Sequence, residues 1–164
     1  MRNIPYHEAA GSLMYASLGT HPGITYAIQT VSRYSHQPGL AHWEAVKRIF
    51  RYLKGTKDLW LSYSGDSKEL EGYVDANGDM AEGRRTISGY AFMIHRGAVL
   101  WSTKRQETIL LSTTKSEYIA ATYAAKEALW LCSLLSQIFD ITPDPTTLYS
   151  DNQSAIALTK GHHV

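Results

Sequence analysis

The spacing of apolar residues changes about one third of the way along this 164-residue chain. Before that point apolar side chains recur every three to four positions, which predicts helices over residues 6–18, 24–34 and 40–53. The third helix begins after Pro38-Gly39 and ends at Gly55, as turn residues at both ends indicate. One of its faces carries Leu40, Trp43, Val46, Ile49, Phe50 and Leu53. The first part of the chain is therefore predicted to be entirely helical.

From residue 57 the apolar pattern is typical of strands, with one long helix among them. Strands are predicted at 59–63, 70–74, 88–95, 99–102 and 146–150. Residues 108–112 are apolar but short, and we predict them to be extended. A helix over 114–139 is rich in alanine, and Asn152 is predicted to cap a last helix at 153–159. From the strand at 70–74 onward the succession is β-β-β-α-β-α, which predicts an α/β (α+β) fold, a mixed sheet with packed helices.

Composition narrows the function only slightly. The net charge of +1 offers no global attraction to nucleic acid, so any basic patch must be local. Cys132 is the single cysteine, which excludes a disulfide within the chain. No apolar run reaches the ~18 residues that a membrane span requires, and the N-terminus lacks a secretory pattern. We expect an intracellular protein, cytoplasmic or nuclear, that is neither secreted nor bound to a membrane.

The third predicted helix has a basic face opposite its apolar one. Glu44 is the one acid near four cations, Lys47, Arg48, Arg51 and Lys54. A solvated helix face is one interpretation of this pattern. A stripe that contacts nucleic-acid phosphates is the other, and the sequence leaves both open.

Three carboxylates stand at the edges of predicted elements. Asp75 and Asp151 end apolar runs that are predicted to be buried strands, and Glu117 falls in the first predicted turn of the long helix. Each has an ordinary explanation when taken singly, as a turn residue or as an acid favoured by the helix dipole. Together they favour a metal site, because neighbouring strand ends and a helix packed across them would bring the carboxylates together. Clustered divalent cations support phosphodiester hydrolysis.

Four ordered motifs resemble the ribonuclease H domain of copia-type retrotransposon polyproteins. They are Tyr73-Val-Asp-Ala, Ser102-Thr-Lys-Arg-Gln, Leu111-Ser-Thr-Thr-Lys-Ser-Glu-Tyr-Ile-Ala and Ser150-Asp-Asn-Gln-Ser-Ala-Ile. The N-terminal part resembles the end of the reverse transcriptase in those polyproteins. That likeness lies in Gly11-Ser-Leu-Met-Tyr, Thr20-His-Pro-Gly-Ile-Thr-Tyr-Ala and His42-Trp-Glu-Ala-Val-Lys-Arg-Ile-Phe-Arg-Tyr-Leu-Lys-Gly-Thr.

The resemblance implies an endonuclease that cleaves the RNA strand of RNA–DNA hybrids. Asp75, Glu117 and Asp151 match the acids that hold two Mg²⁺ (or Mn²⁺) ions in that family, with Asp75 bridging them. The hybrid is then expected to be recognised by its 2′-hydroxyls across the minor groove. Polar residues near the site are candidates for that contact: Ser88, Asn152 and Gln153. The upstream reverse transcriptase of the same polyprotein is the second expected partner.

On this resemblance, residues 1–56 are a helical remnant of the reverse transcriptase, and residues 57–164 are a ribonuclease H-like domain that is incomplete at its C-terminus. The family's last catalytic carboxylate would fall after Val164, Asn77 replaces a family acid, and Lys115 stands where the family has an acid. We therefore expect weakened cleavage. The alternative is an inactive fragment that retains the fold and nucleic-acid binding.

Overall fold

The chain folds into two compact units, Met1–Leu61 and Ser62–Val164, which we call the helical unit and the sheet unit. Each has an apolar core of its own. The computed structural model describes residues 4–64, 69–78, 85–107, 112–140 and 144–160. The assignment of the helical unit to a reverse transcriptase stays a prediction.

The helical unit contains three α-helices around one core. They are α1 (Tyr6–Gly19), α2 (Thr25–Ser32) and α3 (Leu40–Gly55), with a 3₁₀ turn at Pro22–Ile24 before α2. Tyr6 is almost fully buried, and its hydroxyl donates a hydrogen bond of 2.7 Å to the carbonyl of Val31. This bond satisfies the polar end of a core ring, as a buried tyrosine requires. Gly39 caps α3, as predicted, and its N–H donates to His42 Nδ1.

The sheet unit is a four-stranded mixed sheet with two helices, in the order β-β-β-α-β-α that the sequence predicts. Its strands lie in the order β3-β2-β1-β4, and only the β1–β4 pair is parallel. The elements are β1 (Glu71–Gly78), β2 (Thr86–Ile94), β3 (Gly97–Arg105), α4 (Thr113–Phe139), β4 (Thr147–Tyr149) and α5 (Gln153–Thr159). The fold is the ribonuclease H-like α/β arrangement.

Small residues let α4 lie close against the sheet. Ala120, Ala124 and Ala128 are buried along one face of α4, in the same core as Val74 and Phe92 of the sheet. Gly72 of β1 is another small residue that close packing requires. A Cβ atom there would lie 2.7 Å from the Phe92 ring and closer still to Leu148. Only glycine fits at this position without a shift of the core.

Two predicted elements differ in the structure, and a third lies partly outside it. Residues 59–63 form no strand in the described part of the chain. Leu59 and Trp60 are exposed, and the bonds to the sheet that follow come from Tyr63 Oη to the carbonyl of Ala98 and from the Ser64 N–H to the carbonyl of His95. The β2–β3 turn residues are His95 and Arg96 rather than Arg96-Gly97. Of the extended segment predicted at 108–112, residues 108–111 lie outside the described residues. No described helix is long and apolar enough to cross a membrane.

Candidate metal centre

Parallel pairing of β1 with β4 brings two of the predicted acids together. Tyr73 pairs with Tyr149, and their stacked rings have centroids 5.1 Å apart. Asp75 and Asp151 each follow their tyrosine by two residues and are both exposed. The chain therefore places both carboxylates at the same end of two adjacent strands, as expected for the carboxyl ends of a parallel pair.

The third acid comes from the buried face of α4. Glu117 is the fifth residue of the helix, just beyond the first turn in which the sequence analysis put it. It lies one turn before Ala120, on the face of α4 that packs against the sheet. Glu117 is therefore directed toward β1. Its side chain is 6% exposed, which is exceptional for an acid without a cationic partner.

The three carboxylates converge. One oxygen from each of Asp75, Glu117 and Asp151 can be chosen so that all lie within 4.8 Å of one another. The predicted clustering of these acids is thus confirmed. Their roles as metal ligands and catalytic residues stay predictions.

The electrostatics of Glu117 favour a bound cation. Burial raises the pKa of its carboxyl, a hydrogen bond from the Ala76 N–H acts in the opposite direction, and the charges of Asp75 and Asp151 raise it further. Its Oε2 is buried and accepts no hydrogen bond from any described residue. A divalent cation would supply both the missing partner for Oε2 and the positive charge, and three hard oxygen donors suit Mg²⁺ or Mn²⁺. The residues therefore fit a metal centre.

Lys115 lies on another side of α4. Side chains two positions apart on an α-helix point in directions that differ by about 200°. Lys115 is accordingly exposed, whereas Glu117 is buried. The charges that shift the pKa of Glu117 are those of Asp75 and Asp151. Lys115, which was expected to weaken metal binding, thus points away from the buried carboxylate of Glu117.

The polar residues proposed for hybrid contact have different surroundings. Ser88 is buried, and its Oγ accepts a 2.7 Å hydrogen bond from Gln106 Nε2, so its hydroxyl is not part of the open surface. Asn152 caps α5 as predicted, since its Oδ1 accepts the N–H of Ala155 at 2.9 Å. Gln153 begins α5 and is exposed. Gln153 is therefore exposed enough to contact a hybrid, whereas Ser88 is not.

Sequence reasoning missed Gln106 as a site residue. This side chain is 6% exposed and bridges Ser88 to Ser116, the residue before Glu117. The signal was the family-like motif Ser102-Thr-Lys-Arg-Gln, which ends on it. Its polar neighbours in the chain gave no indication of burial.

The basic stripe of α3 is exposed over most of its length. Arg48, Arg51 and Lys54 lie on the surface, whereas Lys47 forms a salt bridge with Glu44. The hydrogen bond from Lys47 lowers the pKa of Glu44, and the charge of Arg51 contributes to this shift. Arg48, Arg51 and Lys54 are thus the cations of the stripe most available to an external anion.

Comparison with known proteins gives the relatives of this chain. It is 44% identical over 162 residues to the retrovirus-related Pol polyprotein from transposon TNT 1-94 of Nicotiana tabacum, and 35% identical over 156 residues to that from transposon RE2 of Arabidopsis thaliana. These matches cover 98% and 93% of this chain. The chain is also 40% identical over 134 residues to a Plasmopara viticola protein named secreted RxLR effector protein 161. No protein-family model matches.

Coverage of the relatives is uneven. The chain spans 12% of the tobacco polyprotein and 11% of the Arabidopsis one, so it corresponds to a small region of each. It spans 94% of the Plasmopara viticola protein and 80% of its own length is matched there. The same region of sequence therefore occurs both inside large polyproteins and as most of a short protein.

Proposed function

We propose a ribonuclease function for this chain, which belongs to the family of copia-type retrotransposon Pol polyproteins. The sheet unit is proposed to cleave the RNA strand of RNA–DNA hybrids with the help of Mg²⁺ or Mn²⁺. The observation that carries the proposal is the convergence of Asp75, Glu117 and Asp151 to within 4.8 Å in a ribonuclease H-like fold. The hybrid and an upstream reverse transcriptase of the same polyprotein are the proposed partners.

The three acids would divide the work of holding the ions. Glu117 would bind from the buried side, with the Ala76 N–H fixing one part of its carboxylate and leaving Oε2 for a cation. Asp75 and Asp151 are exposed and would face the substrate phosphate. When bound, a pair of divalent cations supplies an activated water and stabilises the charge on the departing 3′ oxygen. The chain itself contributes placement, because all three acids stand on or beside regular elements.

The basic stripe of α3 supports a second, weaker contact with nucleic acid. Arg48, Arg51 and Lys54 present three positive charges from one exposed helix face. Such contacts bind phosphates without reading sequence, so we propose them as a contribution to affinity alone.

Cleavage of a labelled RNA–DNA hybrid in Mg²⁺ and in Mn²⁺ tests the proposal. Asp75→Asn keeps the size of the side chain and removes its charge. It should lower the rate by about three orders of magnitude, since loss of a metal ligand removes several kcal/mol of charge stabilisation. Asp58→Asn changes an exposed aspartate of the helical unit and should leave the rate unchanged.

Two results would contradict the nuclease. One is cleavage that persists in Asp75→Asn, which would indicate a contaminating enzyme. The other is no cleavage by the wild-type chain in either metal. Retained hybrid binding in that second case would favour the alternative, an inactive fragment that keeps its fold and its affinity for nucleic acid.

A further inference from the structure

Gln106 joins three elements of the sheet unit. Its backbone N–H donates to the carbonyl of Thr86 at 2.8 Å, where β2 begins. Its side-chain Nε2 donates to Ser88 Oγ at 2.7 Å and to the carbonyl of Ser116 at 2.9 Å. Because Gln106 directly follows β3, one residue connects the end of β3, the start of β2 and the first turn of α4.

The orientation of this amide is determined by its partners. The carbonyl of Ser116 can only accept a hydrogen bond, so the nitrogen of Gln106 must face it. Its Oε1 is then buried and has no hydrogen-bond partner among the described residues. An unsatisfied buried acceptor is unfavourable, and an apolar side chain of the same size would avoid it. Packing alone therefore does not account for a glutamine here, whereas its two directional bonds do.

The bond to Ser116 matters because of how α4 packs. The buried residues of α4 are Ser116, Glu117, Ala120, Ala124, Ala128 and Leu131, so alanine makes up the middle of this face. Methyl groups present little relief against which that part of the helix can lock, so it resists sliding or rotation weakly. A hydrogen bond from the sheet to Ser116 fixes the helix at the residue that immediately precedes Glu117.

We propose that Gln106 is the positioning residue that sets Glu117 relative to Asp75 and Asp151, and thereby sets the affinity of the centre for divalent cations. This inference rests on the proposed function of the three acids as metal ligands. Gln106 acts through Ser116 and α4. It is not itself a metal ligand in the proposal.

Mn²⁺ binding, followed by the loss of the free-ion signal in electron paramagnetic resonance, tests the role without any cleavage. Gln106→Met keeps the volume and removes both side-chain bonds. Its dissociation constant for Mn²⁺ should be about 10- to 100-fold higher than that of the wild type, the range known for residues that orient metal ligands. Rates of hybrid cleavage at saturating Mn²⁺ should recover more than rates at low Mn²⁺.

Tyr63→Phe is the matched control. It removes the 3.0 Å hydrogen bond from Tyr63 Oη to the carbonyl of Ala98, at the other end of β3. It should keep the wild-type affinity for Mn²⁺. Amide hydrogen exchange without metal should quicken at Ser116 and Glu117 in Gln106→Met and stay unchanged there in Tyr63→Phe. If Gln106→Met does not fold, Gln106→Asn, which keeps the amide but shortens its reach, takes its place.

Wild-type affinity in Gln106→Met overturns the proposal, and so does an equal loss in Gln106→Met and Tyr63→Phe, which would mean general destabilisation. A wild-type chain that binds Mn²⁺ but cleaves no hybrid contradicts the nuclease while the affinities still decide the role of Gln106. A wild-type chain that binds no Mn²⁺ overturns both.

Discussion

The helical unit and the sheet unit differ in how many polar side chains they bury among the described residues. Among the described residues of the helical unit, Ser17 is the buried polar side chain, and the charges of α3 lie on its exposed face. In the sheet unit the buried polar residues gather around one end of β2 and α4. They are Thr86, Ser88, Gln106, Ser116 and Glu117.

This difference shows where function constrains the fold. Exposed cations such as Arg48 and Arg51 cost the helical unit little free energy, so their presence alone says little about a role. A buried acid beside two other acids lowers stability unless something binds it. Violations of the ordinary rules of burial tend to mark functional sites, and the buried acid among the described residues, Glu117, lies in the sheet unit.

Metal binding should cause the largest difference in stability between the two units. At a Mg²⁺ concentration 100 times its dissociation constant, the free energy of unfolding of the sheet unit should rise by about 2.7 kcal/mol. The helical unit should not respond. Amide hydrogen exchange of β2 and α3, measured by NMR with and without Mg²⁺, separates the two units.

Glu117→Gln is the variant that sharpens this result. It keeps an acceptor for the Ala76 N–H and removes the buried negative charge beside Asp75 and Asp151. The metal-free variant should melt at a higher temperature than the wild type, and Mg²⁺ should no longer stabilise it. An undiminished response to Mg²⁺ would place the ion elsewhere.

Two glycine substitutions should change the stability of the two units in opposite directions. Gly72→Ala forces a methyl group against Phe92 and Leu148, and should lower the free energy of unfolding by about 1–3 kcal/mol. Gly11→Ala, in the middle of α1, has no atom within 4 Å of the new Cβ and should raise it by about 0.8–1 kcal/mol. Urea denaturation measures both. A stable Gly72→Ala protein would show that the core beneath β1 can rearrange.

A substitution in the β2–β3 turn should raise the free energy of unfolding by about as much as Gly11→Ala does. His95 and Arg96 have φ angles of 51° and 62°, a left-handed conformation that is unfavourable for both side chains. Replacing them with Asn-Gly, the preferred pair for such a two-residue turn, should raise the free energy of unfolding by about 1 kcal/mol. The urea midpoint of the sheet unit should shift upward, and a downward shift would count against the assigned turn geometry.

The basic stripe should affect stability least. Replacing Arg48 and Arg51 with Ala should change the free energy of unfolding by less than about 0.5 kcal/mol, as for most surface positions. If both contact phosphates, the slope of log affinity for hybrid against log salt should fall by about two units. Lys126→Ala with Lys160→Ala removes the same charge from the sheet unit as a control. Equal slopes in both double variants would make the stripe a solvated face.

Much of the fold could be predicted because the pattern of apolar residues follows local geometry. The bounds of α3, the cap at Asn152 and the order of elements all rest on near neighbours in sequence. The clustering of the acids was also predictable, because two neighbouring parallel strands end side by side and a helix packed across them can add a third acid. The strand at 59–63 was wrong, because an apolar run forms a strand only where its backbone pairs along its length with another strand, and this run does not.

Gln106 shows what the sequence could not reveal. It lies within the polar run 102–108, where nothing except the family-like motif distinguishes its side chain from those of its neighbours. Its burial depends on α4 returning over the sheet and bringing Ser116 to it. Long-range packing of this kind has no periodic signature.

The shortest strand has a kinetic consequence. Asp151 depends for its position on β4, which is three residues long and pairs with β1 alone among the described strands. So few backbone bonds allow β4 and α5 to open together on a faster timescale than the three longer strands. Each opening removes one carboxylate from the cluster and leaves the other two in place. The cluster is then complete only while β4 is paired with β1, so the affinity for a cation would fall as this strand opens.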